Sequence, residues 1–460
     1  MTATTMHSEA SGRSGGLSAR SSRLGRPFMN FGLFSPSTSP IAIDFGSSSV
    51  KLLQITTGEK PSIVAAAELT IPDEKRLKPD ELWAFYADEL PRVIKQGRFR
   101  GKRVVCSVPG YQTIAQHVQI DNSPGVKKSS QAQMQLQMQI GAAPNSLVVR
   151  TVEVADIQRD GQARTEMICL AIQRDHVMRY VETLKKCRLE AVGVHSNALA
   201  TQRAFDHIYR REGDDALTTM YIELGWGSTQ VTIAHGTKLV FARSVQLGGQ
   251  HFDQLISRSM NCDAAAARAH RLSLKATPSP PSAAPKPTGD PSSSNENSTG
   301  GMARLQAAMS AQQSASGDEN RHASGSASAT PVAQDRRHGK APRVIANPVS
   351  TDTAPSAVAD VDFTELIDTM NDELSMCVRY HRGLFPNRPI DRAILLGGES
   401  RQMWLCQQLA RRLQLPARLG DPLARFARDD SAGDASGILN GQPQPGWAVP
   451  CGLCVIPTDF

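Results

Sequence analysis

A strand that ends in an acid and turns back through glycine and serine occurs twice in this chain, and any fold must accommodate both copies. Asp44-Phe45-Gly46-Ser47-Ser48-Ser49-Val50 joins the apolar run IAIDF to VKLLQI, and Glu223-Leu224-Gly225-Trp226-Gly227-Ser228-Thr229 joins TTMYIEL to TQVTIAH. A third run follows each pair, SIVAAAELTI in the first and KLVFARSV in the second. The runs are apolar or alternating and are bounded by Gly, Ser or Pro, which reads as strand. The chain therefore holds two units of three strands, each opened by a Gly/Ser hairpin.

The chemistry of such a turn favours phosphate. Small residues let backbone N–H groups converge on an anion, and serine hydroxyls add donors. Gly46, Ser47, Ser48 and Ser49 in the first copy, and Gly225, Gly227, Ser228 and Thr229 in the second, are the phosphate-binding candidates. Asp44 and Glu223 repel phosphate directly, but each can hold Mg²⁺ through water, and the metal then bridges to the phosphates. Lys51 supplies positive charge for the outer phosphates. One Gly/Ser hairpin alone is an ordinary turn. Two of them, each preceded by an acid, imply a two-lobed phosphate clamp.

A third element is Ala393-Ile394-Leu395-Leu396-Gly397-Gly398-Glu399-Ser400, a buried strand running into Gly-Gly and a helix start. Alone it reads equally well as a plain strand–helix turn. After two clamps in chain order, Gly397, Gly398, Glu399 and Ser400 become a nucleoside-binding candidate. Neither GxxxxGK[ST] nor a GxGxxG after the first strand is present.

Between these motifs the pattern predicts a helix at 79–96, the strand VVCSVPG, then IAQHVQI, a Gln/Met-rich helix, LVVRTVEV, TEMICLAI, a helix at 174–186, the strand EAVGVH and a helix from Asn197 to about Arg211. Further helices are expected after Gly248-Gly249, over DFTELIDTMNDELSMCVRYHRGLF, over SRQMWLCQQLARRL and near 447–455. In the Gln/Met-rich helix, Met134 and Met138 are expected on a buried face. Residues 1–39 are Ser/Gly/Arg-rich and read as a disordered tail; a start at Met29, directly before the first strand, accounts for them as well. From 273 to 360 the chain is Pro, Ser, Ala, Gly, Asn and Gln with no aromatic residue, too little apolar surface to offset ordering, and is expected to be disordered.

The formal net charge of +7 comes with only 5% aromatic residues, so the base-stacking side chains of a nucleic-acid groove are scarce. The eight cysteines are scattered in apolar patterns, which suits reduced thiols in a cytoplasmic protein. The single CxxC, Cys451 and Cys454, has no second pair and reads as helical core. His195 and His251 lack a second ligand at metal spacing. No run approaches the ~20 apolar residues of a membrane span, so membrane association is expected through a partner.

The motifs resemble the phosphate-1, phosphate-2 and adenosine motifs of the actin-like ATPases, and in order and text they are most similar to the PilM family of pilus-assembly proteins. IAIDFGSSSVKLLQI, the preceding FGLF, VVCSVPG, QLGGQHFDQLI, AILLGGES and DPLARF carry the resemblance, which covers residues 31–273 and 362–460. It implies an α/β, two-lobed actin-like fold built on a ribonuclease H-like repeat, with nucleotide in the cleft. The implied division is a first lobe at 40–108 with a return segment at 193–216, an inserted small α+β domain at 109–192 shared with FtsA, and a second lobe at 217–272. After the insertion, 361–460 completes that lobe and returns to the first. The family's role implies ATP and Mg²⁺ as cofactors and docking on the cytoplasmic tail of an inner-membrane pilus protein, PilN, while self-association stays open.

Three residues depart from the family pattern. Glu223 replaces an Asp, Trp226 sits where small residues are usual and would narrow access to phosphate, and Asn197 falls where relatives orient the attacking water. Asn cannot act as a general base, so binding with slow or no hydrolysis is expected. Two other readings of the same resemblance are a small-molecule or sugar kinase, which needs a substrate-base Asp not evident here, and an FtsA-like division scaffold, which needs a basic amphipathic terminal helix in place of CVIPTDF.

Overall fold

The computed structural model describes residues 37–121, 125–143, 145–159, 161–206, 213–275, 361–428, 437–439 and 441–456. Residues 1–36 of the expected tail, and residues 276–360 of the low-complexity stretch, lie outside the described residues. Thr38 bridges to Thr56 and Ser39 is buried, so the last part of the expected tail joins the fold.

The first repeat unit forms β1 (Ile41–Phe45), β2 (Ser49–Ile55) and β3 (Ser62–Thr70), an antiparallel meander. Helix α1 (Pro79–Gln96) follows, with Pro79 in its first turn beside Asp80 and Glu81, and Lys95 in its last, as the helix dipole favours. Strand β4 (Arg103–Ser107) then pairs parallel to β1. After an excursion described below, α3 (Arg174–Lys186) leads into β8 (Glu190–His195), parallel to β4, and α4 (Asn197–Ala204). The helix expected to reach Arg211 stops at Ala204, where Phe205 turns inward among the core side chains. Residues 207–212 lie outside the described residues.

The second unit repeats the plan. Strands β9 (Thr218–Leu224), β10 (Thr229–His235) and β11 (Lys238–Val245) form the meander, and α5 (Gly249–Met260) and α6 (Ala264–Ser273) follow. Helix α6 begins capped by the Asp263 side chain and extends through Ser273, where the low-complexity stretch was expected to start. The chain resumes with α7 (Thr364–Leu384), β12 (Arg392–Leu396), α8 (Met403–Leu413), β13 (Ala417–Leu419), β14 (Ala427–Arg428) and α9 (Ala448–Val455). The sheet orders are β14-β3-β2-β1-β4-β8 and β11-β10-β9-β12-β13. Each has its meander on one side and parallel strands on the other, so the sequence repeat is also a topological one.

Strand period two decides what each face meets. Ile41, Ile43 and Phe45 point outward to Tyr86, Leu90, Tyr180 and Leu184 of α1 and α3. Ala42 and Leu53 point inward, as do Tyr221, Ala234, Ile394 and Leu396 of the second sheet, and both sets pack with Ala200, Trp447, Val449, Cys451 and Leu453. Helices α4 and α9 therefore fill the space between the sheets. They cross so closely that a Cβ on Gly452 would overlap the carbonyl oxygen of Ala200. Cys451 and Cys454 are core residues of α9, with sulfurs on the carbonyls of Pro422 and Leu53 at 3.5 and 3.6 Å.

The excursion between β4 and α3 builds a third sheet, β5-β7-β6, from β5 (Thr113–Asp121), β6 (Leu147–Arg159) and β7 (Gln162–Gln173). Helix α2 (Lys128–Ile140) covers one face with Ala132, Leu136 and Ile140, spaced four apart. Met134 and Met138 are on the opposite side and are 57% and 68% exposed, so the buried face expected for them belongs to Ala132, Leu136 and Ile140 instead. In this helix Gln alternates with apolar residues every second position, which supports two helical faces equally, and only packing chooses. The other face of the small sheet gives Val154, Ile168 and Leu170 to the core of the second unit. Fully buried Glu166 fastens that junction, bonded to His117 Nδ1 at 2.9 Å and accepting from the Tyr380 hydroxyl of α7 at 2.6 Å.

Substituting Gly452 with Ala should lower unfolding stability by on the order of 3 kcal/mol, because a methyl must displace backbone at the crossing of α4 and α9. Urea denaturation checks this; a variant as stable as the parent would mean that the helices separate without cost.

Candidate functional site

The inner faces of the two main sheets present polar rows that their registers dictate. In the first sheet Glu68 lies opposite Lys51, Lys51 opposite Asp44, Asp44 opposite Ser107 and Ser107 opposite His195. In the second, Ser244 lies opposite Gln230, Gln230 opposite Glu223 and Glu223 opposite Leu396. Asp44 and Glu223 thus hold equivalent positions, one strand residue before each hairpin. Ser107 Oγ donates to Asp44 Oδ1 at 2.7 Å, and Thr201 of α4 donates to Glu223 Oε2 at 3.3 Å. Lys51 Nζ donates to Ser49 Oγ at 2.9 Å and pairs with Glu68 Oε1 at 3.2 Å.

Burial pushes the Asp44 carboxyl above its ordinary range, with Lys51 and Ser107 opposing. Glu223 is pushed further, to about 8, by burial and then by Asp44 across the cleft, against Thr201 and Lys51. Burial acts on Glu68 in the same direction, but Lys51, Ser49 and Arg401 outweigh it and hold that carboxyl low. Two carboxyls facing each other, with one lysine beside Asp44 that is already paired with Glu68, make an arrangement short of positive charge.

The hairpins are built alike. Gly46 N–H donates to Ser49 O at 3.1 Å and Gly225 N–H to Ser228 O at 3.0 Å, and a Cβ on either glycine would come within 2.7 or 2.8 Å of that same carbonyl oxygen. The loops also touch each other: Gly227 N–H donates to Ser47 Oγ at 2.9 Å. Behind the second loop stands the start of α5, whose Gly249 and Gln250 N–H groups donate to Gly225 O and Trp226 O at 3.0 and 2.8 Å. The positive end of that helix therefore points at the loop. Thr229 Oγ1 is committed to Leu247 O at 2.7 Å, whereas Ser228 Oγ faces Gly110 in the cleft.

The third motif turns at Gly397, whose φ of 88° and contact with the Leu224 carbonyl leave no room for a side chain. Gly398 is exposed, and Gly446 lies against it and against Lys51. Glu399 and Ser400 turn inward. Ser400 Oγ bonds back to Leu396 O, and Glu399 binds fully buried Arg271 of α6, which also donates to Asp253 Oδ1 of α5 at 2.6 Å. Burial alone would lower the Arg271 pKa, but Glu399 and Asp253 more than reverse it. Trp226 Nε1 donates to Asp253 Oδ2 at 2.8 Å and the guanidinium of Arg76 lies 5.0 Å over its ring, so this side chain is held beside the loops. There it joins the wall of a 330 Å³ pocket with Ser47, Trp83, Tyr111 and Tyr180, and no Asp or Glu lines that pocket.

Asn197 is buried at the start of α4, within reach of Gly110, Ser228 and Gln230. Among the described residues neither its Oδ1 nor the Oε1 of Gln230 has a hydrogen-bond partner, and buried polar atoms left in this way call for a water, an ion or a functional contact. Among the described residues no group of three or more His, Cys, Asp or Glu side chains could hold a metal. The two carboxylates Asp44 and Glu223 fit a divalent ion that completes its shell with water and phosphate oxygens, the usual manner of Mg²⁺. Sequence patterns did not single out Glu68, Ser107, Thr201, Gln230, Asp253 or Arg271. The first four follow from strand register and the α4 crossing, while Asp253 and Arg271 meet Glu399 only through the packing of α5, α6 and the third motif.

Two repeated three-strand units, closed over a pair of crossing helices with a Gly/Ser loop from each meeting in the cleft, define a two-lobed actin-like α/β protein. Residues 42–277 match the family described as type IV pilus assembly protein PilM, more than half of the chain, and the chain belongs to that family. Among solved structures it is similar to a PilM–PilN type IV pilus biogenesis complex, with a TM-score of 0.60 at 17% identity over 91% of this chain and 97% of that one. A looser likeness, with a TM-score of 0.41 at 9% identity over 91% of this chain and 90% of the other, is to the ethanolamine utilization protein EutJ from Carboxydothermus hydrogenoformans.

Glu223 keeps in the folded state a proton that the unfolded chain releases near the ordinary glutamate value of 4.5. Its contribution to stability is therefore full below that value and is lost as pH rises through about 8. Glu223→Gln should flatten the decline of unfolding free energy across that window and be the more stable protein at its alkaline end; parallel profiles would contradict the assignment. Arg271→Met should cost about 3–5 kcal/mol in the same assay by stranding two buried acids, and adding Asp253→Asn with Glu399→Gln should recover part of it.

Proposed function

We propose that this chain is a cytoplasmic, ATP-binding actin-like scaffold of a type IV pilus or related secretion assembly. The observation that carries the nucleotide reading is the opposition of Asp44 and Glu223 at equivalent strand ends, beneath two Gly/Ser loops that meet through Ser47 and Gly227. MgATP would lie with its phosphates between the loops, where Ser47, Ser48 and Ser228 offer donors and the Gly227 N–H would exchange its bond to Ser47 for one to phosphate. Its metal would be held by Asp44 and Glu223 through water, Lys51 would neutralise the outer phosphate, and the nucleoside would rest on Gly397 and Gly398. Glu399 and Ser400 would serve this site from beneath, fixing the turn through Arg271 and Leu396. The metal supplies positive charge that two carboxyls and one lysine lack.

Turnover is expected to be slow or absent. Asn197 stands where the family resemblance puts the residue that orients the attacking water, and an asparagine can orient water but cannot take its proton. A sugar kinase would need a further acid beside its acceptor, and the sequence offers no Asp for that role in a recognisable loop. Membership of the PilM family, together with likeness to a PilM–PilN complex, supports docking on the cytoplasmic tail of an inner-membrane pilus protein. Among the described residues no helix is long and apolar enough to cross a membrane, so this placement depends on contacts.

Calorimetric titration with MgATP should show saturable binding by the parent protein and at least tenfold weaker binding by Asp44→Ala, with phosphate release far below ordinary enzyme rates of about 10 per second. A well-folded parent that does not bind MgATP would reduce the cleft to a structural joint.

A further inference from the structure

The base of the first lobe carries an exposed basic rim that the cleft does not use. Helices α1 and α3 both end there, because the strands that follow them, β4 and β8, pair in parallel and start side by side at Arg103 and Glu190. Beyond α1 come Arg98, Arg100 and Lys102, and at the end of α3 come Lys185, Lys186 and Arg188, all exposed. Among the described residues none of these six forms an ion pair. Arg103 and Glu190 offset each other as register partners, and Asp88 and Glu182 lie further back on the helices.

Helix dipoles account for Lys185 and Lys186, which complement the negative end of α3. They do not account for the rest. Both helices close identically, with Arg98 and Arg188 in the left-handed region at φ 56° and 61°, followed by Phe99 N–H on Ile94 O and Leu189 N–H on Leu184 O at 3.2 and 3.0 Å. Glycine is the usual occupant of that position and a side chain is disfavoured there. Twice, then, the chain holds a long cation where helix termination alone would prefer glycine.

The rim is at the far end of the lobe from the nucleotide candidates. Strands β1, β4 and β8 run parallel from it and deliver Asp44, Ser107 and His195 to the cleft at their other ends. An object bound to the rim would leave the cleft open. Phe99, the aromatic residue among these side chains, is packed into the α1–α3 core, so the stacking platform that single-stranded nucleic acid requires is missing. Lysines and arginines spread around one end of a sheet, without a groove, suit a broad anionic plane.

We propose that this end of the first lobe docks on an anionic phospholipid bilayer, seating the scaffold with its base on the membrane and its cleft turned away. Each basic side chain brought near an anionic leaflet strengthens binding about fivefold, and the attraction weakens as salt shortens the screening length. This reading goes beyond nucleotide binding and does not depend on it.

The full chain should float with vesicles of phosphatidylcholine containing about a third phosphatidylglycerol, but not with phosphatidylcholine alone, and should release as salt is raised. The triple reversal Lys185→Glu, Lys186→Glu, Arg188→Glu should weaken flotation by at least about a hundredfold, since three attractions are lost and three repulsions are added. Reversal of three exposed arginines of the other lobe, Arg258→Glu, Arg379→Glu and Arg382→Glu, makes the same change in net charge and should leave flotation near that of the parent. Should the first variant not fold, Arg98→Gln, Arg100→Gln, Lys102→Gln tests the same rim. Equal loss in both lobes, no flotation at about 0.1 M salt, or rim-dependent binding to duplex DNA without binding to vesicles would each overturn the proposal.

Discussion

Where α9 crosses α4, Gly452 brings its backbone against the Ala200 carbonyl with no side chain between them. That contact sets the distance between the two sheets, since both pack their inner faces on these helices. It also sets the height at which Asp44 and Glu223 stand, because each is two residues further along its strand than a core residue, Ala42 or Tyr221, that touches the helix pair. A wider crossing would draw the two hairpins apart and break the bond from Gly227 to Ser47. The cleft is therefore a consequence of backbone packing first and of polar chemistry second.

Given that spacing, the electrostatics follow. Burial has already lifted the pKa of Glu223 and Asp44 raises it further, while Lys51, which also pairs with Glu68, only partly compensates. Under the proposed function, an anion with its own divalent counterion would complete such a site better than either component alone, since the metal would satisfy the carboxyls and the loops the phosphates. Beneath the turn at Gly397 the opposite problem is solved internally. Arg271 has no exposure, yet Asp253 and Glu399 surround it, and Asp253 also fixes Trp226. Breaking up such a triad costs far more than its formation gains, so it acts chiefly to hold α5, α6 and the third motif in one arrangement.

The strands of both meanders and both hairpins were legible from the sequence because period two, Gly/Ser turns and the position of each acid are local signals, whereas the short edge strands β13 and β14 were not. Helices α1 and α3 were legible to their ends for the same reason. What could not be read there depends on tertiary choice. The Gln/Met alternation of α2 supports two faces, and only the small sheet selects Leu136 over Met134 and Met138. Helix α4 stops at Ala204 because Phe205 is claimed by the inter-lobe core. Glu399 carries no local mark of a buried ion pair, as its partner Arg271 lies on the far side of a long stretch of chain. Gln230 is hidden for another reason: a mid-strand glutamine is unremarked until register sets it beside Glu223.

The central claim is that the two hairpins form one site and are engaged together by a metal–nucleotide complex. Hydrogen-exchange mass spectrometry of the full chain with and without MgATP tests it most directly. The account predicts that peptides covering residues 44–50 and 223–229 gain protection together, and that Asp44→Ala abolishes the gain in both. Protection confined to one hairpin, or to neither in a protein that remains folded, would contradict it.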